Sequence, residues 1–207
     1  GEKTPKVYQE LKKKKIWKFE DAANITQIGM HPLVIKTEVL KKHHIRLDEH
    51  CFYVDVEYIL YPVPFVHNLE YLDLYVYMYR LAVNTQSVSL QGYQKHVDNH
   101  IDVILHLTEF FNEYAKTGTP EKIDYIGKRI AQMVGDQITI FVSFPETDKA
   151  NKRKFKDFDQ KLKELSPEIY YRSGKESGTL RLFRMTGFRG YKWITRLCRR
   201  RNHIGED

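Results

Sequence analysis

The sequence has few cysteines and no long apolar run. Cys51 and Cys198 are its only cysteines. They lie far apart in the sequence, and such a pair predicts neither a disulfide framework nor a zinc site. We interpret both as free thiols in a reducing, intracellular compartment, the cytoplasm or the nucleus. The longest apolar stretches, such as residues 72–79, are interrupted by polar side chains, whereas a membrane-spanning helix needs about 20 apolar residues. We therefore expect neither a spanning segment nor a secretory signal peptide.

The chain also lacks a domain boundary signal, an internal repeat and a low-complexity tract. Its 207 residues are 42% hydrophobic and 13% aromatic, which is ordinary for a globular protein with one sizeable core. We expect a single domain in three parts. They are a basic N-terminal arm at residues 1–18, a globular α+β domain at 19–186, and a basic amphipathic C-terminal segment at 187–207.

Acidic residues are scarce near both ends of the chain. Residues 1–18 hold seven lysines against two glutamates, and residues 172–201 hold ten Lys or Arg against Glu176 alone. The body is acidic, because residues 19–148 hold ten Lys or Arg against eighteen Asp or Glu. Clustered cations favour a contact surface for phosphates or anionic lipid. The alternative is that solvated charge runs happen to fall at the two ends.

Alternating apolar and polar residues predict two strands in the first half. Residues 51–61 and 69–83 each have a period of two, and the loop at 62–68 would join them as an antiparallel pair. A cap followed by proline predicts a short helix at residues 5–15. Residues 20–44 have mixed periodicity, and we interpret them as helical.

Helical periodicity dominates the second half. The predicted elements are a helix at 91–116, a helix at 120–135, a buried strand at 138–144, a helix at 155–165 and a hairpin of strands at 168–172 and 179–186. Gly135 is the expected stop of the second helix. The order β-β-α-α-β-α-β-β, with basic helical termini, predicts an α+β fold with antiparallel strands and several amphipathic helices.

The C-terminal segment carries the strongest functional signal. On a helix over residues 191–201, one face carries Trp193, Ile194, Leu197 and Cys198, and the other carries Lys192, Arg196, Arg199 and Arg200. The guanidinium fork suits phosphate, and neutralising several phosphates releases counterions. A basic amphipathic helix also suits an anionic membrane. The alternative is structural: Trp193 and Leu197 would pack the helix onto the core while the arginines pair with the acidic body.

Two further features resemble nucleic-acid-binding surfaces. The tyrosines Tyr71, Tyr75, Tyr77 and Tyr79, opposite Tyr53, would form a sheet face on which bases stack. Asp55, Glu57 and Asp73 share that face and would repel phosphates, so we favour a covering helix. The Gly-Phe-Arg-Gly-Tyr segment at residues 187–191 has the composition of many RNA-binding loops, but it is short.

Histidines and carboxylates suggest two metal sites that we do not favour. The richer cluster consists of His43, His44, Asp48, Glu49 and His50, followed by Asp55 and Glu57 on one predicted strand face. Carboxylates of this kind hold the metal of many nucleases, but the spacing matches no such motif. His96 and His100 have the helical spacing of zinc ligands without a third ligand, because His106 faces elsewhere. We interpret them as surface histidines and predict no metal site and no cofactor.

Signatures of catalysis are also lacking. A P-loop needs a spaced glycine before Lys-Ser or Lys-Thr and a helix after it, whereas the loop at residues 174–178 is expected to be followed by a strand. We interpret it as a hairpin loop that touches a phosphate through Lys175. Neither a nucleophile elbow nor a dinucleotide fingerprint is visible, which disfavours an enzyme.

The leading hypothesis is a non-catalytic nucleic-acid-binding protein, with RNA or single strands favoured. The predicted contact residues are Lys12, Lys13, Lys14, Lys15, Lys175, Arg181, Arg184, Arg189, Lys192, Arg196, Arg199, Arg200 and Arg201. One alternative is a matrix-like assembly protein that docks on anionic membrane and self-associates as a homo-oligomer. The other is a metal-dependent nuclease that uses Asp55, Glu57 and the nearby histidines.

Overall fold

The computed structural model describes residues 9–74, 77 and 89–202. Within these residues, two strands, β1 (Ile16–Lys18) and β2 (Asn68–Glu70), form one small antiparallel sheet. The helices are α1 (Phe19–Ala23), α2 (Thr37–Lys42), α3 (Asp55–Leu60), α4 (Leu90–Lys95), α5 (Val97–Tyr114), α6 (Pro120–Ser143), α7 (Lys149–Leu165), α8 (Pro167–Glu176), α9 (Gly178–Met185) and α10 (Tyr191–Arg201). Short 3-10 turns lie at Leu11–Lys13 and Val63–Phe65. The α+β character is confirmed, but helix is far more abundant than the sequence predicts.

The long helix α6 passes through a predicted stop and a predicted strand. The sequence predicts an end at Gly135 and a buried strand at 138–144, yet α6 continues to Ser143. The buried side chains that keep helical spacing across the glycine are Ile130, Val134, Ile138 and Phe141. A glycine in a helix interior costs about 1 kcal/mol, whereas burial of each large side chain beyond it contributes about 1.5–3 kcal/mol. Packing therefore outweighs the helix-breaking tendency of Gly135.

The first predicted pair of strands is wrong. Residues 51–54 form a loop and α3 follows, with Val56, Ile59 and Leu60 buried. Their spacing of three and four residues fits a helix as well as a partly alternating strand. Within the described residues 69–74 of the second predicted strand, only Leu69 and Glu70 belong to a strand, β2, which pairs with β1. Residues 75, 76 and 78–83 lie outside the described part of the chain.

The predicted C-terminal hairpin of strands is also wrong, because residues 167–185 form α8 and α9. A serine caps the start of each helix. The Oγ atom of Ser166 accepts a hydrogen bond from the amide of Ile169 at 3.4 Å, and that of Ser177 accepts one from Leu180 at 3.2 Å. Serine is a preferred N-cap because its side chain satisfies an otherwise unpaired amide. The predicted loop at 174–178 is thus the junction between two helices.

An aromatic core fixes the start of α10. The ring of Phe155, on α7, lies 5.0 Å from that of Phe183 and 4.9 Å from that of Phe188, edge to face in both cases. Tyr191, the first residue of α10, is 1% exposed. Its hydroxyl accepts a hydrogen bond from Nδ2 of Asn151 at 2.9 Å. Packed aromatic side chains and one buried hydrogen bond therefore hold helix α10 in place. The helix predicted at residues 191–201 is present.

The described residues 9–44 contain less helix than the sequence predicts for them. Of the helix predicted at residues 5–15, residues 1–8 lie outside the described part, Gln9 is helical and Leu11–Lys13 form a 3-10 turn. Helix in residues 20–44 is confirmed only at α1 and α2. Both cysteines are free thiols, as expected. None of the helices in the described ranges combines the length and apolarity that crossing a bilayer requires.

Candidate nucleic-acid interface

Helices α9 and α10 form an antiparallel pair with a strongly cationic exterior. The turn at residues 186–190 joins them, and Oγ1 of Thr179, at the start of α9, lies 4.0 Å from Sγ of Cys198, near the end of α10. We call α9, α10 and this turn the basic hairpin. Its exposed cationic residues are Arg181, Arg189, Lys192, Arg196, Arg200 and Arg201. Because α10 turns Tyr191, Ile194 and Thr195 into the core, its cationic positions point outward.

The indole of Trp193 lies on this exterior instead of in the core. Trp193 is 62% exposed and Leu197 is 44% exposed. The structural alternative, in which these two residues anchor α10, is therefore wrong. The anchoring positions are Tyr191, Ile194 and Thr195, with spacings of three and four residues, and they leave Trp193 and Leu197 on the outer surface of the helix.

The preceding helix α9 adds exposed aliphatic side chains. Met185 is 77% exposed and Leu182 is 37% exposed, whereas Leu180 and Phe183 of the same helix are fully buried. The exterior of the basic hairpin therefore combines cations with one aromatic and three aliphatic side chains. Such a mixture offers both charge and apolar contact to a partner.

One predicted contact residue, Arg184, has a structural role. Its guanidinium forms an ion pair with Asp159 at 2.7 Å, and their side chains are only 11% and 9% exposed. It also lies 3.5 Å from the centroid of the Tyr170 ring and donates a hydrogen bond to the Tyr170 carbonyl at 2.6 Å. Arg184 therefore ties α9 to α7 and α8.

Two arginines on α10 contact the protein from the surface. Arg199 donates a hydrogen bond to the carbonyl oxygen of Ser143, the last residue of α6. Arg196 Nε lies 3.0 Å from Oε1 of Glu146. The backbone amide of Glu146 and then the Arg196 guanidinium hold the pKa of that carboxyl below its usual range. A phosphate at Arg196 would have to compete with this carboxylate, so Lys192 and Arg200 are the freer cations.

The remaining predicted cations lie apart from the basic hairpin. Lys175 lies 4.5 Å from the centroid of the Tyr171 ring, in a groove between α6 and α8 that also contains Asp124 and Glu168. The four N-terminal lysines lie beside the sheet. Three of them form ion pairs: Lys12 with Asp73 at 2.8 Å, Lys13 with Glu10 at 2.5 Å and Lys15 with Glu70 at 3.3 Å. The ammonium group of Lys14 lies over the ring of Trp17. Among the described residues, no hydrogen bond or ion pair joins these lysines to the hairpin.

The predicted tyrosine face is not formed by the residues that the structure describes. Tyr71 follows β2 and is partly buried, and Tyr53 stacks on Tyr93 with ring centroids 5.2 Å apart. Tyr75 and Tyr79 lie outside the described part. In the predicted RNA-binding loop at 187–191, both aromatic residues are buried, so they pack the core and only Arg189 is available to a partner.

The histidine pair is not a surface feature, contrary to expectation. His100 is 4% exposed, and its Nδ1 lies 2.8 Å from Oε1 of Gln137. Burial lowers the pKa of His100 to about 4, so the ring is neutral at pH 7 and donates to the amide oxygen. The ring of His96 instead packs on Phe52, with centroids 3.8 Å apart.

The carboxylates of Asp55 and Glu57 do not share a face, because helix α3 replaces the predicted strand. Glu57 is fully buried, whereas Asp55 is partly exposed. Burial raises the pKa of Asp55, and the nearby positive charge of Arg129 opposes this effect. A metal held jointly by Asp55 and Glu57, as the nuclease alternative requires, is therefore not supported by the fold.

The arrangement can offer five guanidinium groups, one ammonium group and one indole face to an extended polyanion. Sequence periodicity placed Lys192, Arg196 and Arg200 on the outer face of α10, where they are exposed, but it placed the exposed Trp193 on the core face. No protein-family model, curated protein or solved structure matches this chain.

Proposed function

We propose that the protein binds single-stranded nucleic acid, RNA in particular, without catalysing a reaction on it, and that it does so inside the cell. The observation that carries the proposal is an exposed tryptophan among exposed cations on the basic hairpin. Arginine and lysine neutralise phosphates, while an exposed indole stacks on an unpaired base. A duplex hides its base faces, so a surface of this kind favours single strands.

The aromatic core behind the hairpin supports this role. Phe155, Phe183, Phe188 and Tyr191 fix the helix that presents Trp193. An interface on a rigid element loses less conformational entropy on binding than one on a flexible segment. The cations of α10 therefore act as a fixed row of contacts rather than as a flexible tail.

Charge reversal at two free cations tests the proposal. We expect Lys192→Glu combined with Arg200→Glu to weaken binding of a labelled single-stranded RNA at least tenfold at low salt. The slope of log affinity against log salt concentration should also become shallower by about 1.4, because each phosphate contact of a single strand contributes about 0.7 to its magnitude. Both residues are exposed, so circular dichroism and thermal unfolding should remain those of the wild type.

A matched variant controls for net charge. Lys41→Glu combined with Arg46→Glu changes the charge equally at two exposed positions outside the hairpin, and it should retain most of the affinity. Equal loss in both double variants would show that binding follows net charge and would contradict the assignment to the hairpin.

A second candidate is docking on an anionic membrane surface. It is favoured by Leu182, Met185 and Leu197, because exposed aliphatic side chains insert between lipid headgroups but do not stack on bases. Co-sedimentation with vesicles that contain phosphatidylserine, compared with purely zwitterionic vesicles, separates the two candidates. Lipid binding that Met185→Ser abolishes, together with no RNA binding at low salt, would favour the membrane.

A further inference from the structure

Three metal-ligating side chains from separate elements converge on one point. Asp48 lies in the loop between α2 and α3, Glu57 lies on α3, and His106 lies on α5. One ligand atom of each lies within 4.8 Å of those of the other two. The closest pair is Nδ1 of His106 and Oδ2 of Asp48, at 2.6 Å. The fold thus brings together residues that are up to 58 positions apart in the sequence.

Glu57 is the unusual member of this group, because its carboxylate is fully buried. It accepts a hydrogen bond from the amide of Asp48 at 2.9 Å and one from the hydroxyl of Tyr61 at 3.3 Å. No Lys or Arg within the described ranges forms an ion pair with Glu57 or Asp48. Burying a carboxylate costs several kcal/mol unless positive charge compensates it, and here only His106 supplies such charge.

The surroundings add further negative charge. Asp102 and Glu109 lie on the same helix as His106, one turn before it and one turn after it. Burial, followed by the charges of Asp48, Glu57 and Asp102, raises the pKa of the Cys51 thiol. Burial tends to lower the pKa of His106, but the hydrogen bond that its Nδ1 makes to the Asp48 carboxylate and the nearby negative charges outweigh burial and raise it. Three carboxylates, those of Asp48, Glu57 and Glu109, therefore act on a single imidazole.

We propose that Asp48, Glu57 and His106 bind a divalent transition-metal cation of the Zn²⁺ or Mn²⁺ class. Metal–ligand distances of about 2.0–2.2 Å place neighbouring ligand atoms roughly 3–4 Å apart, which the observed span accommodates with small side-chain shifts. Two oxygens and one imidazole nitrogen suit zinc or manganese, whereas magnesium and calcium prefer oxygen alone.

The bound cation replaces the hydrogen bond between His106 and Asp48. It neutralises the buried charge of Glu57 and links the loop before α3 to α3 and α5. The site is separate from the basic hairpin, so metal binding does not depend on nucleic-acid binding.

Titration of the chelator-treated full chain with Mn²⁺ tests the proposal, because manganese binds poorly to the free thiols. We expect one saturable site by isothermal titration calorimetry and a rise in Tm on loading. Asp48→Asn and His106→Gln should each lower the affinity at least about tenfold, since even the outer partners of metal ligands contribute 10- to 100-fold. Both variants should fold, because His106 is half exposed and the backbone amide of Asp48 is retained.

His67→Gln is the matched control, because His67 is exposed and lies outside the cluster. It should bind Mn²⁺ as the wild type does. A wild-type chain without a saturable site would overturn the proposal, as would equal losses of affinity in His67→Gln and His106→Gln. A parallel titration with Zn²⁺ shows which of the two ions the site prefers.

Discussion

Replacement of Trp193 by alanine separates a stacking surface from a merely cationic one. The indole is 62% exposed, so its removal should change the free energy of unfolding by no more than about 0.5 kcal/mol. A base stacked on an aromatic side chain contributes about 1–3 kcal/mol. The variant should therefore bind single-stranded RNA roughly 5- to 150-fold more weakly at fixed salt.

The salt dependence makes this prediction specific. Because Trp193→Ala removes no cation, the slope of log affinity against log salt should be unchanged while the whole line shifts to weaker binding. The assay is fluorescence anisotropy at several salt concentrations, with a single-stranded RNA of mixed sequence. Tyr171→Ala is the matched control, because Tyr171 is 63% exposed and lies on α8 outside the hairpin. Unchanged affinity of Trp193→Ala, or an equal loss in Tyr171→Ala, would refute the stacking role.

Two further predictions concern buried polar groups. The pKa of His100 is about 4 in the folded chain, whereas its usual value is near 6.5. The folded state therefore favours the neutral ring. This stability, at most roughly 3 kcal/mol, is present above pH 6.5 and is lost as pH falls towards 4, so His100→Gln should flatten the pH dependence of urea unfolding. Arg184→Ala breaks a buried ion pair and should destabilise the fold by about 3–5 kcal/mol, while the folded fraction binds RNA normally. Weak binding by stable Arg184→Ala would contradict its structural role.

The long amphipathic helices were predictable from the sequence, and the strands were not. Helices α5, α7 and α10 carry apolar side chains at helical spacing over 11 to 18 residues. This length is enough to exclude the alternating apolar and polar pattern of a strand. Residues 51–61 and 138–144 are short apolar runs, in which strand and helix patterns overlap. Their conformation is decided by packing against the rest of the core. The serines that cap α8 and α9, Ser166 and Ser177, are helix-start signals present in the sequence.

The candidate site was predictable in its charge and not in its geometry. The periodicity of α10 placed Arg196 and Arg200 outward, but the choice between Tyr191 and Trp193 as the buried aromatic depends on Phe183 and on Asn151, which is distant in sequence. The convergence of Asp48, Glu57 and His106 depends likewise on the packing of α3 against α5. No local pattern encodes it.

The most direct test of the central claim is the salt dependence of wild-type binding to single-stranded RNA. Six exposed cations on the basic hairpin, one of them shared with Glu146, predict a slope of about −3 to −4 and a loss of affinity of roughly 100-fold between about 50 and 200 mM salt. Duplex of the same length should bind more weakly at every salt concentration. Absence of binding to single-stranded RNA at the lowest salt would contradict the account.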